Sequence, residues 1–531
     1  MFAALRSAAH AALRAANACV AAAIRWALFA FRLTNVTAEA STSACPAPTT
    51  LLLLPAELLS VILSSLDTRS LARFAATCRP LWLDAPTPAS APRDIGPVEA
   101  ELRLRAKARG LETASSLPDF APSWVPYLLK RDRRDAQRRQ APLTAGIDVS
   151  IFVDEGGRLL TCGRDSGGIL RLGHAEDPDA DPDGDTIRRI GPPTPVPSMQ
   201  DRRIVSVATG GDHCLALTAQ GEVYSWGDGE YGALGHGDEN SRAVPSRIES
   251  LSRIESIDAG IRSTCAAVNA AGSLFTWGRA MYMLPQTMSN GLGYALESQA
   301  ESQLTPKQVE ALSQDRVVGV SAGQGFTLAV TDAGAVFSFG YSREGALGHG
   351  PLEAEVLPRR IDALAQTGRR FVAVAAVNDH ALALTEEGEL YGWGAGCANG
   401  HGSTERTPRQ VAALIGERIK LVDARHDASC AVTEKGELFT WSSCCSYYNL
   451  GHGVNTPQDT PKRVEGLVRT RVAAAVIGGW HTLAADEDGV VWGFGQRNRA
   501  LGLDDGTITI YSPVEMPTPI PTLRVRALKS P

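Results

Sequence analysis

Apolar residues recur along this chain in short runs, each opened and nearly always closed by glycine. In Gly221-Glu222-Val223-Tyr224-Ser225-Trp226-Gly227, polar and apolar positions alternate with the period of a β-strand. The pattern returns at 157–163, 272–278, 334–340, 388–394, 436–442 and 489–495, with first glycines 48 to 64 positions apart. A partner run precedes each copy, as Cys214-Leu215-Ala216-Leu217-Thr218 precedes Gly221. Two such runs joined by a few turn residues predict a β-hairpin, and a glycine able to take positive φ makes the turn. A lone hairpin cannot bury its apolar face, so neighbouring copies must cover one another: the chain reads as a repeat architecture.

Further marks accompany each unit. A Gly-x-His-type tag precedes the hairpin, cleanest in Gly210-Gly211-Asp212-His213 and Gly478-Gly479-Trp480-His481-Thr482. The third and sixth units depart from it, with Gly260-Ile261-Arg262-Ser263 and Arg425-His426-Asp427. A Leu-Gly-His turn follows the hairpin at Leu172-Gly173-His174, Leu234-Gly235-His236, Leu347-Gly348-His349 and Leu450-Gly451-His452. A Pro-x-x-[Val/Ile] strand then closes the unit, as in Pro245-Ser246-Arg247-Ile248 and Pro408-Arg409-Gln410-Val411. This order resembles the repeats of the regulator of chromosome condensation family. The resemblance implies a mainly β fold, a seven-bladed β-propeller with four short antiparallel strands per blade, over residues 141–531. Arg524-Val525-Arg526-Ala527-Leu528 copies the strand that opens each unit and is expected to pair into the first blade, covering an open edge. Trp226, Trp277, Trp393, Trp441 and Trp492 are expected at one equivalent strand position, as wedges between blades.

Ahead of the repeats the pattern turns helical. Residues 1–48 are alanine-rich and arginine-punctuated, with no acid before Glu39, a leader that reads as loosely helical or transit-like. Its apolar part is interrupted by Arg25 and too short to span a bilayer. In residues 49–84, Leu58, Leu59, Ile62, Leu63 and Leu66 form one helical stripe, and Leu71, Phe74, Ala75 and Cys78 a second. The order Leu54-Pro55-Ala56-Glu57-Leu58, Ile62-Leu63, Leu66-Asp67, Leu71, Phe74, Cys78-Arg79 and Trp82 resembles an F-box, departing from it at Pro80-Leu81. That resemblance implies docking on a Skp-type adaptor of a cullin ligase through Leu54, Pro55, Leu58, Leu59, Ile62, Leu63, Leu66, Leu71, Phe74 and Trp82. Residues 85–140 read as a Pro/Ala-rich linker with charged helices, among them a basic stretch at 127–139 that reads as a solvated face.

Composition narrows the chemistry. A net charge of −6 over 531 residues gives no electrostatic footprint for nucleic acid. The ten cysteines follow no framework spacing, so Cys162, Cys214, Cys265 and Cys430 are expected to be buried thiols of an intracellular protein. His174, His236, His349, His401 and His452 stand one per blade in Gly-His turns, too dispersed to share a metal. The acidic stretch 179–185 opens like a calcium loop, but Ile190 stands where a bidentate glutamate belongs, so it reads as an acidic insertion. No catalytic, metal-binding or cofactor-binding set is found.

Together the two resemblances imply a non-catalytic substrate receptor of an SCF-type ubiquitin ligase, cytoplasmic or nuclear, with the propeller holding an unidentified protein substrate. The alternative is a guanine-nucleotide exchange factor for a small GTPase, or a chromatin-associated scaffold. Neither nucleic acid nor membrane is an expected partner. A working transit peptide in residues 1–40 would instead place the chain in an organelle.

Overall fold

The computed structural model describes residues 142–164, 172–174, 189–261, 263–279, 290–296, 301–342, 344–396, 398–442, 449–453, 456–495, 500–501 and 514–525. The leader, the F-box-like stretch, the linker, the acidic insertion 179–185 and Cys444-Cys445 lie outside the described residues. The described residues form seven four-stranded antiparallel sheets. The first holds β1 (Leu143–Ala145), β2 (Val149–Val153), β3 (Leu159–Arg164) and β4 (Arg189–Pro195), and the second β5 (Ile204–Thr209), β6 (His213–Thr218), β7 (Val223–Gly227) and β8 (Arg242–Arg247). The third runs through β9 (Ile254–Ala259), β10 (Thr264–Asn269), β11 (Leu274–Arg279) and β12 (Ser302–Gln308). The fourth runs through β13 (Val317–Ala322), β14 (Phe326–Thr331), β15 (Val336–Tyr341) and β16 (Ala354–Arg360). The fifth comprises β17 (Phe371–Val377), β18 (His380–Thr385), β19 (Leu390–Gly394) and β20 (Glu405–Gln410). The sixth comprises β21 (Ile419–Arg425), β22 (Ala428–Thr433), β23 (Leu438–Ser442) and β24 (Gln458–Arg463). The seventh comprises β25 (Val472–Ile477), β26 (His481–Asp486), β27 (Val490–Gly495) and β28 (Val514–Arg524).

Each sheet is one blade, and its first strand touches the first strands of its neighbours around a central axis, β25 returning to β1. This is the expected seven-bladed propeller. The hairpin glycines do what the repeat requires of them: Gly221 turns at φ 80°, and its six equivalents lie between 81° and 88°. Their carbonyls also tie the blades together. The first inner-strand residue of each following blade donates its N–H to such a glycine, from Ile204 to Gly157 through Val472 to Gly436, at 2.8–3.2 Å.

The core lies between blades. Trp226 packs with Val149, Ile151 and Val153 of the first blade, and Trp393 with Phe326 and Val336 of the fourth. The outermost strands leave an unpaired edge, guarded by Pro358, Pro408 and Pro461 and by exposed Arg359, Arg409 and Lys462.

Closure follows the expectation at Val525, whereas Arg524 pairs with Val490 in the seventh blade. Val525 bridges Asp154 and donates to Gly489 O at 3.0 Å, the place Ile204 holds in the second blade. The inner strand of the first blade is then continued by β1, which pairs Leu143 with Phe152, Thr144 with Ile151 and Ala145 with Ser150. It is therefore assembled from two distant pieces of chain, and residues 526–528 lie outside the described residues.

Candidate functional site

The tag residues build the end of the channel from the junctions outward. In the second blade Gly210 leaves room for the His213 ring, since a Cβ there would stand 2.1 Å from Cε1. His213, His380 and His481 each reach into the next blade, to Cys265 Sγ at 3.0 Å, Ser429 Oγ at 2.9 Å and Ser150 Oγ at 2.7 Å. The tautomer follows from the next bond. The Ser429 hydroxyl donates to Ala398 O, so its oxygen accepts from Nε2–H of His380. The Ser150 hydroxyl likewise donates to Ala500 O and fixes His481 in the same form. Burial holds these rings neutral, lowering His213 and His380 to about 4 and His481 to about 3.

The Ala398 carbonyl accepts a second bond, from Trp441 Nε1 at 2.7 Å. Trp393 donates to Ala346 O and Trp277 to Ala233 O in the same manner. Trp226, Trp277, Trp393 and Trp441 are fully buried wedges, as expected. Trp492 is not one of them. It pairs with Ala484, two positions short of the wedge, and its indole N–H donates to Asp486 at 3.2 Å. Phe494 fills the wedge of the seventh blade and Phe339 that of the fourth, while Cys162 takes the position in the first and points Sγ at Ala500 O. The reason is register: in Gly489-Val490-Val491-Trp492-Gly493-Phe494-Gly495 the residue before the closing glycine is phenylalanine.

The Gly-His histidines serve their own blades. His174, His236, His349 and His452 meet Thr161, Ser225, Ser338 and Thr440 within the same sheet, and His401 meets the Gly392 carbonyl. The four cysteines Cys162, Cys214, Cys265 and Cys430 are buried thiols, as expected. Among the described residues no group of three or more His, Cys, Asp or Glu could hold a metal. Nor, among them, is any helix long and apolar enough to cross a membrane. The adaptor-binding set from Leu54 to Trp82 lies outside the described residues.

What remains is a polar mouth over a central cavity. Tag turns carry Asp148, Asp212, Asp379 and Asp427 in the first, second, fifth and sixth blades, all partly exposed. Asn378 Nδ2 donates to Asp427 at 3.2 Å. Below lies a cavity of about 150 Å³ lined by all seven inner strands. Its wall mixes apolar and polar groups in nearly equal measure, and Asp258, Asp423 and Arg425 face it. The Asp258 carboxylate accepts Ala322 N–H at 2.7 Å, and Asp423 accepts Ile477 N–H at 2.9 Å, each across a blade junction. Burial pushes both carboxyls up, Asp423 to about 6. Arg425 stands where Gly210, Gly260, Gly323 and Gly478 end their inner strands, and its Nη1 reaches Ala259 O of the third blade at 3.5 Å. Sequence reasoning registered the Arg425 tag only as a degenerate copy; a large cation replacing a small residue was the available signal.

The repeats have recognisable counterparts. The family model of the regulator of chromosome condensation (RCC1) repeat matches residues 156–217, 220–267, 271–330, 333–384 and 435–485. The human E3 ubiquitin-protein ligase HERC2 is 37% identical over 379 residues, 70% of this chain but only 6% of that protein. A secretion-regulating guanine nucleotide exchange factor of Bos taurus is 31% identical over 48% of this chain and 51% of its own length. The chain thus spans about half the length of one of these relatives and a small fraction of the other. Prp20p of Saccharomyces cerevisiae superposes with a TM-score of 0.57 at 20% identity, covering 74% of this chain and 89% of that one, a likeness of fold. With its repeats matched over more than half its length, this chain belongs to the regulator of chromosome condensation (RCC1) repeat family.

Proposed function

We propose that the chain is a non-catalytic substrate-recognition subunit of an SCF-type ubiquitin ligase. In this reading residues 54–82 dock on a Skp-type adaptor of a cullin core, and the tag end of the propeller holds the protein to be modified. The observation that carries the recognition half is the mouth itself, with Asp148, Asp212, Asp379 and Asp427 spaced around a channel on short turns between strands. Loops fixed by a strand frame suit binding, and carboxylates suit a basic protein surface. The described histidines and serines at the junctions are buried and mutually bonded, which suits a scaffold. The adaptor half rests on the Leu-Pro to Trp order of the F-box-like stretch. Affinity purification of the full chain is expected to recover a cullin and a Skp-type adaptor. The double variant Leu58→Asp with Ile62→Asp is expected to lose both, and retention of the adaptor by that variant would refute the reading.

The same acidic mouth favours one other reading, nucleotide exchange on a small GTPase, and a relative carries that activity in its name. Accelerated nucleotide release from any member of a GTPase panel, lost on neutralising Asp379 and Asp427, would replace the ligase reading. The site of action is cytoplasmic or nuclear in either case.

A further inference from the structure

The sixth blade breaks the repeat at the end of its inner strand, where Arg425 faces the cavity. Five of the other inner strands end at this point in glycine, and the fifth blade has Val377. Only the sixth spends a guanidinium there, and that guanidinium is loosely held. Its one bond to a described residue is the 3.5 Å approach to Ala259 O, at the outer limit for hydrogen bonding, and no described carboxylate lies within ion-pair distance. Directly below are two partly buried carboxylates, Asp258 and Asp423, in a cavity of about 150 Å³. A single water needs about 10–15 Å³ of such space, so the cavity has room for a larger polar head group. The charges do not balance: two carboxylates face one arginine.

We propose that the axial cavity is a pocket for the cationic side chain of a partner protein, a lysine or arginine entering through the tag mouth, and that Arg425 occupies its entrance as an internal stand-in. The inference rests on the reading of the tag end as the partner-binding face. It adds the anchor: one basic side chain inserted along the axis, not merely held at the rim. The four rim aspartates attract and orient the incoming cation. Asp258 and Asp423 supply the receiving carboxylates, each held in place by a backbone N–H of the next blade. Arg425 must swing aside, so its strand-end position makes it a gate as well as a plug. Ser256 and Ser321 add neutral polar groups to the wall.

The test uses the full chain and two labelled peptides, Gly-Gly-Arg-Gly-Gly and Gly-Gly-Ala-Gly-Gly, read by fluorescence polarisation. Arg425→Gly, which restores the glycine that five other blades carry there, is expected to tighten binding of the arginine peptide at least tenfold and leave the alanine peptide unbound. Adding Asp258→Asn and Asp423→Asn to that variant is expected to erase the gain. Arg425→Met serves as a second opening variant should the glycine variant fail to fold. Equal binding by parent, opened and neutralised proteins would mean attraction to the surface alone and would overturn the proposal. Loss of the adaptor reading in the Leu58→Asp/Ile62→Asp experiment would leave this peptide result unaffected, so the two fail separately.

Discussion

His481 in the seventh blade donates Nε2–H to the hydroxyl of Ser150 in the first, 2.7 Å away, with both groups wholly buried. The ring is fastened here by the same bond that joins the fifth blade to the sixth, His380 to Ser429. The last junction is therefore chemically one of the series, and what distinguishes it is the divided inner strand of the first blade.

Deleting residues 523–531 removes Leu523 and Val525, which pack with Leu143 and Phe152. Burying two such side chains contributes about 3–5 kcal/mol. The melting midpoint is expected to fall by several degrees in calorimetry. An unchanged midpoint would mean that β1 alone completes the first blade.

The wedge position gives a graded series. Trp393→Phe keeps an aromatic ring of the kind Phe339 and Phe494 already provide, and loses the bond to Ala346 O, a cost of about 1–2 kcal/mol. Trp393→Ala also empties a junction and is expected to cost about 3–5 kcal/mol by denaturant titration. Equal costs would show that the indole N–H, not the volume, is what the junction needs.

Acidity acts on this protein with two signs. His213, His380 and His481 are held near 4, 4 and 3 when folded, against 6.5 ordinarily, so the unfolded chain takes up protons first and stability falls as pH drops through that interval. Asp423 runs the opposite way. Its carboxyl is pushed from 3.8 to about 6, so the folded chain protonates first, and the penalty of the buried charge is fully present above pH 6. Asp423→Asn can still accept the Ile477 N–H, and it removes that penalty. The variant is expected to be more stable than the parent above pH 6, on the order of 1–3 kcal/mol, with the advantage gone near pH 4. Denaturation midpoints across that range decide it, and a less stable variant at pH 7.5 would contradict the burial argument.

Two glycines with positive φ separate conformation from crowding. Gly221 and Gly368 both need the left-handed region, but a Cβ at 221 would stand 2.9 Å from Arg253 Cα, while at 368 it meets nothing within 4 Å. Gly368→Ala should cost about 1–2 kcal/mol from backbone strain alone. Gly221→Ala should cost clearly more, and equal losses would show that the blade shifts to absorb the methyl.

The frame was legible because each element has a local cause that repeats. Gly221, Trp226 and Leu234-Gly235-His236 serve a turn, a junction and a closing loop, and their copies carry the same residues. Trp492 was misplaced because residue type outweighed spacing: counting back from Gly495 finds Phe494. The cavity was not legible. Asp258, Asp423 and Arg425 come from two nearly opposite blades, and only ring geometry brings them to one axis. Two-piece closure escaped for a related reason, since three residues at Leu143–Ala145 are too short a run to register as a strand.

That divided strand sets a timetable for biosynthesis. The first blade emerges early from the ribosome with a gap that no nearby residue can fill, and it waits through the making of six more sheets for Val525. Throughout that interval the Asp154 end of that strand edge stands open to stray pairing, so the nascent chain stays exposed to misassembly until its synthesis is nearly done.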